Sequence, residues 1–404
     1  MEMSVPAAVA ARAAELIEVG GVSVAAHFGD PDGEYRAAHE GVAVMPRPWR
    51  SLVRFEGDDR QRFLQGVVSN DVVGLAPGDG CRALFLDVKG HVRADLDLWA
   101  EADAIVAGSE IGFGERTLPD LARYILAASV RPDDRRDAEA ILGVIGPGAE
   151  ALLAGAGLEL PPPAPRSCST ARLADASVRL ARTPSLAAPG LELHIPSASL
   201  DAVLTTLEAA AERSLRGNAG GGAIHGGAAP GPTEGTAGSG SLADAGHRES
   251  PEGAGSHGPL VYMGWQAAEL LRIEAGWPRV GHEITGDEFP QELGLDEAVD
   301  YEKGCYLGQE TVARIHYRGQ VNRLLRGLRL SEPMAPGATL HAGDREVGRI
   351  TSAAESPRLG PIALGFVRRQ EAEAAGTENE SPLEARGEDG ATATARVTPL
   401  PFPD

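Results

Sequence analysis

The densest run of reactive side chains in this sequence is Tyr301-Glu302-Lys303-Gly304-Cys305-Tyr306-Leu307-Gly308-Gln309-Glu310-Thr311-Val312-Ala313-Arg314. It holds a thiol, an amine, two tyrosines, two carboxylates and two glycines, a mixture that no packed helix or strand requires. The thiolate is the nucleophilic form of cysteine, and a neighbouring ammonium or helix N-terminus stabilises it. Lys303 lies two residues before Cys305. From Gly308 onward the residues read as a short helix with Gln309 and Glu310 in its first turn, where a carboxylate complements the helix dipole. Gly304 and Gly308 permit backbone conformations that a Cβ forbids, or the close approach of a ligand. On this pattern Cys305 is a candidate nucleophile and Lys303 the group that keeps it partly ionised. The competing reading of a lone cysteine is a small buried hydrophobe.

Lysine usage points the same way. The chain has 35 arginines but only two lysines, Lys89 and Lys303, each followed by glycine. Those two positions ask for a compact ammonium rather than a planar fork. A second polar run, Ser69-Asn70-Asp71-Val72, forms a turn before Leu75. In Val92-Arg93-Ala94-Asp95-Leu96-Asp97-Leu98 a period of two sets Arg93, Asp95 and Asp97 on one strand face and the apolar residues on the other. The bland reading of that charged face is solvation.

Lys303-Gly304-Cys305-Tyr306-Leu307-Gly308-Gln309-Glu310 resembles the signature of the YgfZ family of folate-binding proteins, relatives of the glycine-cleavage T protein, an aminomethyltransferase. Arg272-Ile273-Glu274-Ala275-Gly276, Val347-Gly348-Arg349-Ile350-Thr351-Ser352 and Ser69-Asn70-Asp71-Val72 are similar to the same superfamily. The resemblance covers nearly the whole chain, apart from one insert and the extreme termini. It implies an α+β fold: a three-domain ring of two mixed α/β domains and a small C-terminal β-barrel around a central folate channel. It implies tetrahydrofolate as cofactor, with Asn70, Asp71 and Asp95 as polar contacts and Arg272 and Glu274 lining the channel. Tyr306, Gln309 and Glu310 join that binding set from the cysteine motif. The implied function is an accessory role in assembly or repair of iron–sulfur enzymes, tRNA-modifying ones among them, through Cys305. Iron–sulfur client or assembly proteins would then be the partners. The alternative is an aminomethyltransferase moving a one-carbon unit to tetrahydrofolate. Two departures bear on that choice. The first of the two adjacent strand aspartates of the aminomethyltransferases is Ala94 here, and the glutamate that meets folate in them is Ala188.

Composition bounds the rest. The 404 residues suffice for two or three domains with proper cores. A net charge of −21 argues against a nonspecific binder of phosphate backbones. Arg314, His316, Arg318, Arg323, Arg326 and Arg329 form a local basic run that solvates a surface or meets an anionic ligand. The three cysteines, Cys81, Cys168 and Cys305, make no disulfide framework, no zinc pattern and no four-thiolate cluster site. Without a basic leader or an apolar stretch of membrane length, the expectation is a cytoplasmic monomer with no membrane, metal or direct nucleic-acid contact.

The elements that must position these residues follow from period and punctuation. Residues 1–20 read as an Ala-rich helix, 34–41 as a second, and 51–55 as a strand, with Asp58 or Asp59 capping the helix that carries Phe63 and Leu64. Two G-x-G-x-x-A matches, at Gly78 and Gly146, lack the βαβ context of a dinucleotide site and are rejected. Lys89-Gly90-His91 is a hairpin turn. The expected domains are 1–130 with a return segment 260–325, a ferredoxin-like 131–217, a disordered insert 218–259, and a barrel 326–404. The insert is rich in Gly, Ala, Ser and His without an apolar period, and 377–390 reads as a mobile acidic loop.

Overall fold

Alternation from Val92 to Leu98 gives the strand Val92–Ala100 one apolar face, and the sheet grows from there by pairing on both of its sides. The computed structural model describes residues 6–110, 117–125, 128–184, 187–219, 260–377 and 381–403. A five-stranded sheet runs Gly80–Leu86, Val92–Ala100, Ala104–Glu110, Arg50–Glu56, Arg131–Asp134 in spatial order. One face buries Phe55, Phe85, Ala94, Leu96 and Leu98 under Phe63 and Leu64 of the helix Arg60–Val67. The other face carries Arg50, Arg82, Asp95 and Asp97. Its middle is closed off rather than solvated, since Arg50, Arg82 and Asp97 are each no more than 5% exposed, while Arg93 at the hairpin end is exposed.

A six-stranded sheet runs Cys168–Leu173, Ala176–Ala181, Gly190–Pro196, Glu139–Ile145, Ala43–Pro46, Val261–Tyr262. Its core packs against the helices Ala149–Gly155 and Leu200–Ala219. Sheet membership therefore cuts across a linear division at residue 130. Arg131–Asp134 pairs with Arg50–Glu56, while Ala43–Pro46 pairs with Glu139–Ile145.

The third body is a closed barrel of Arg323–Leu330, Gly360–Arg368, Arg345–Ser356, Thr339–Ala342, Leu383–Arg386 and Thr392–Thr398. The return segment ties the three together. Its helix Trp265–Glu274 inserts Leu271 beside Tyr35 and Met45, and Ile273 into a cluster shared with Leu84, Leu325 and Phe366.

Three expectations are corrected. The first helix spans only Ala7–Ala10, because Glu15–Val19 pairs with Val22–His27 through a tight turn at Gly20 and Gly21, both at positive φ. The supposed acidic loop contains the strand Leu383–Arg386, whose Leu383 and Ala385 fill the barrel while Glu384 is exposed. Asp59 precedes the helix Arg60–Val67 without capping it, since its carboxylate accepts from the Ser129 N–H at 2.8 Å. The insert expected at 218–259 lies outside the described residues, apart from Asn218 and Ala219 at the end of the helix Leu200–Ala219. Among the described residues no helix is long and apolar enough to cross a membrane.

Candidate functional site

The helix Gln309–Arg318 begins where expected, and Gly308 is its left-handed N-cap at φ +80°. A Cβ on Gly308 would lie 2.5 Å from the Asp87 carbonyl oxygen, so this glycine lets the motif dock against the hairpin tip at Gly90. Just upstream, the Asp300 carboxylate accepts from the N–H groups of Glu302 and Lys303 at 2.8 and 3.0 Å. Between these two anchors Cys305 stands exposed.

Lys303 turns inward. Its Nζ donates to the carbonyls of Val68 at 2.8 Å and Asn70 at 2.6 Å. Two converging carbonyls suit a compact ammonium better than a guanidinium fork. Burial lowers its pKa to about 8, against the pull of Asp71, Cys81 and Asp300. The Tyr306 ring lies 5.2 Å from the ammonium. Its hydroxyl is buried without a hydrogen bond among the described residues, and burial, then Asp300, raises it to about 12. Gln309 is partly buried and Glu310 exposed.

The Ser69–Val72 turn is held by its own polar groups. Asn70 Nδ2 donates to the Arg82 carbonyl at 2.7 Å, its Oδ1 accepts from the Asp71 N–H at 2.8 Å, and an Asp71 oxygen accepts from Gly74 N–H at 3.3 Å. Ser69 accepts from Leu84 N–H at 2.8 Å and donates to the Ala298 carbonyl. The turn thus joins the five-stranded sheet to the return segment. Cys81 adjoins it, its Sγ 3.6 Å from the Asp71 carbonyl, and burial pushes that thiol up to about 12.

From this turn a seam of charge crosses the centre of the molecule. Arg82 forks onto Asp95 at 2.9 and 2.6 Å, reaches Glu297 at 2.9 Å, and lies 3.8 Å over the Trp277 ring. Asp97 accepts from Arg50 at 3.2 Å and Thr183 at 2.7 Å. Glu192 faces Arg47, Arg50 and His194. Burial alone would raise the Glu192 carboxyl, but Arg50 and Arg47 hold it well below the usual range. Asp95, Asp97, Arg50, Trp277, Val280 and Ile284 border a cavity of about 10 Å³, too small for more than one water.

Arg272 and Glu274 belong to different neighbourhoods. Arg272 spends its donors on Glu269, Glu283, the Trp277 carbonyl and Ser352. Glu274 accepts from Tyr35 at 2.7 Å and from Ser356. Both pin the return helix to its surroundings, so neither offers a free polar group. The structure therefore gathers Lys303, Asn70 and Asp71, links Asp95 to them through Arg82, and leaves Arg272 and Glu274 in structural joints. Arg82, Trp277 and Glu297 carry no motif in the sequence, because each acquires its role from a partner distant along the chain.

A flat heterocycle with an N–H edge requires a carboxylate, an aromatic face and apolar walls. Asp95, Trp277, Val280 and Ile284 supply that set, so the residues suit a pterin, although the space between them is filled by protein. A roomier cleft, about 590 Å³, is lined by Arg54, Glu101, Arg135, Glu139 and Arg179 and by none of the motif residues. Its charges pair with one another, Arg54 with Glu101 and Arg179 with Glu139. It is a salt-bridged groove, not the chemical centre.

Residues 6–226 match the GCVT N-terminal domain and residues 323–404 the glycine cleavage T-protein C-terminal barrel domain. An aminomethyltransferase of Deinococcus deserti is 26% identical over 396 residues, covering 96% of this chain and 93% of that protein. One from Mycobacterium leprae is 25% identical over 353 residues, with 86% and 82% covered. A putative chloroplastic transferase of Arabidopsis thaliana is 36% identical over 113 residues, 28% of this chain and 26% of that protein. The crystal structure of the glycine cleavage system aminomethyltransferase T from Bartonella henselae superposes with a TM-score of 0.79 at 19% identity, covering 100% of this chain and 98% of that one. That last likeness bears on the fold.

Proposed function

The chain belongs to the glycine-cleavage T-protein family, and from that premise we propose that it is a cytoplasmic, tetrahydrofolate-binding protein that serves the assembly or repair of iron–sulfur enzymes through Cys305. The observation that carries this reading is the presentation of that thiol. Cys305 is exposed between two backbone anchors, while Cys81 and Cys168 are withdrawn by burial. Lys303 holds the loop to the Ser69–Val72 turn, and Tyr306, Gln309 and Glu310 frame it. Folate would take the Asp95–Trp277 side of the seam. The sequence motif supports the iron–sulfur role; the clients are the enzymes and assembly proteins that would meet the exposed thiol.

A second reading, one-carbon transfer to tetrahydrofolate, is favoured by relatives named aminomethyltransferase that span most of this chain. Against it, the position before Asp95 is Ala94, sealed in the sheet core, and Ala188 packs among apolar side chains. Neither position offers a carboxylate.

The deciding experiment measures iron–sulfur enzyme activity, normalised to client protein, in a strain lacking this protein and complemented with wild type or Cys305→Ala. The expected result is recovery with wild type only. Full recovery with Cys305→Ala would remove the thiol from the proposal, and turnover of a lipoyl-bound aminomethyl group by the purified protein, with no effect of the deletion on iron–sulfur enzymes, would move the assignment to the second reading.

A further inference from the structure

Arg82 sits on the strand Gly80–Leu86 with 4% of its surface exposed. Its guanidinium is planar, lies 3.8 Å over the Trp277 ring, and sends two parallel N–H groups to the two oxygens of Asp95. A guanidinium is an N–C–N unit whose hydrogens point the same way. The amino-pyrimidinone edge of a pterin or a guanine presents the same unit, and recognises a carboxylate and an aromatic face by the same two contacts. Two groups cannot share one carboxylate fork and one ring face.

We infer that Arg82 is a specificity-determining residue that occupies the place of a heterocycle's N–C–N edge and must leave Asp95 before such a ligand binds. This rests on the folate reading above and adds to it an internal competitor. The cavity bordered by Asp95 and Trp277 measures only about 10 Å³ and is not lined by Arg82, so room for a ring against both groups has to come from the place that Arg82 itself fills. The exit is also provided for. Glu297 already accepts from Arg82 Nη1 at 2.9 Å, and its own side chain is 58% exposed. Arg82 can therefore swing outward onto Glu297 without becoming an unpaired buried cation, which would be costly. The apparent dissociation constant is then the intrinsic one divided by the fraction of molecules with Arg82 withdrawn, so binding is weakened by that fraction.

The test is titration calorimetry of the full chain with 5-formyltetrahydrofolate, and in a second arm with guanosine, while Trp277 emission is followed against a Trp277→Phe control. Wild type binds the folate and its Trp277 emission changes. Arg82→Met, which keeps the stem but not the fork, binds at least about tenfold more tightly, since removing a competitor lifts the conformational cost. Arg82→Lys, which keeps the charge but cannot fork, also binds more tightly and guards against a folding defect in the first variant. Thermal melts of each accompany the titrations. If the folate binds wild type and both folded variants equally, Arg82 is only a wall: the inference falls and the folate reading stands. If guanosine alone gains affinity in the variants, the site takes a purine and the folate source is overturned. If neither ligand binds any form, both the inference and the folate reading fail.

Discussion

At Cys81 and Cys168 burial pushes the thiol up to about 12 and about 11, whereas Cys305 stands in solvent on its loop. At pH 8 a thiol shifted to 12 carries about one thiolate in ten thousand, and alkylation proceeds through the thiolate. We therefore expect iodoacetamide to modify one thiol per native chain, at Cys305, with the other two reacting only after denaturation. Peptide mass mapping of partly labelled protein checks this, and Cys305→Ala should abolish the fast phase. Early labelling at Cys81 would contradict the assignment of Cys305 as the accessible thiol. The presence of the motif was legible in its residue types, and so was the demand for a compact ammonium at Lys303. The acceptors of that ammonium were not. Backbone carbonyls at Val68 and Asn70 leave no mark on side-chain identity, so nothing in the sequence tells which turn the lysine will reach.

The elements around the motif separate two glycines that the sequence makes look alike. Gly308 is left-handed, and a Cβ there would strike the Asp87 carbonyl at 2.5 Å and the hairpin glycine at 3.0 Å. Gly304 has nothing within 4 Å of its would-be Cβ and no left-handed φ. Left-handed backbone costs a non-glycine residue about 1–2 kcal/mol, before any clash. Gly308→Ala should then lower stability by roughly 2 kcal/mol or more. Gly304→Ala should change it by less than about 0.5 kcal/mol. Urea melts of the two variants decide the point, and equal losses would refute it. A folded Gly304→Ala that fails to complement would show that the open space is needed by an incoming partner. The hairpin and the helix start were readable from turn residues and period. The first strand pair was not: five residues, Glu15–Val19, also fit a helix repeat, and only the tight Gly20-Gly21 turn gives the pairing away. The acidic segment was misread for a related reason, since a short barrel strand with alternate charges looks like a loop until its apolar half meets the barrel interior.

Across the whole molecule, the surfaces where the two sheets and the return segment meet set buried charges beside apolar clusters such as Leu52, Trp99 and Ile141, and those charges close upon one another. Arg47 and Arg50 meet Glu192 and Asp97; Arg279 meets Glu110 and Glu269. Such a core is sensitive to loss of one partner, because the survivor is left desolvated and unpaired, at a cost of about 3–5 kcal/mol. Glu192 is wholly buried and touches two arginines and His194. Glu192→Gln keeps its shape while removing its charge, and should lose stability of that order at pH 7. The pH dependence gives the prediction its sign. Burial would raise the Glu110 carboxyl, but Arg279, Arg47 and Arg50 outweigh it and hold the group at about 2, below its ordinary 4.5; Glu192 is lowered in the same sense. A carboxyl lowered by folding stabilises fully above its unfolded value, and that stabilisation drains away as pH falls toward the folded one. Wild type should accordingly weaken between about pH 5 and pH 2. The gap between wild type and Glu192→Gln should narrow over the same range, because the variant has no charge left to lose at that position. Denaturation midpoints at pH 7, 5, 4 and 3 measure both curves. A gap that stays constant with pH, or a Glu192→Gln variant as stable as wild type at pH 7, would mean that the ionised form of Glu192 does not hold this junction together.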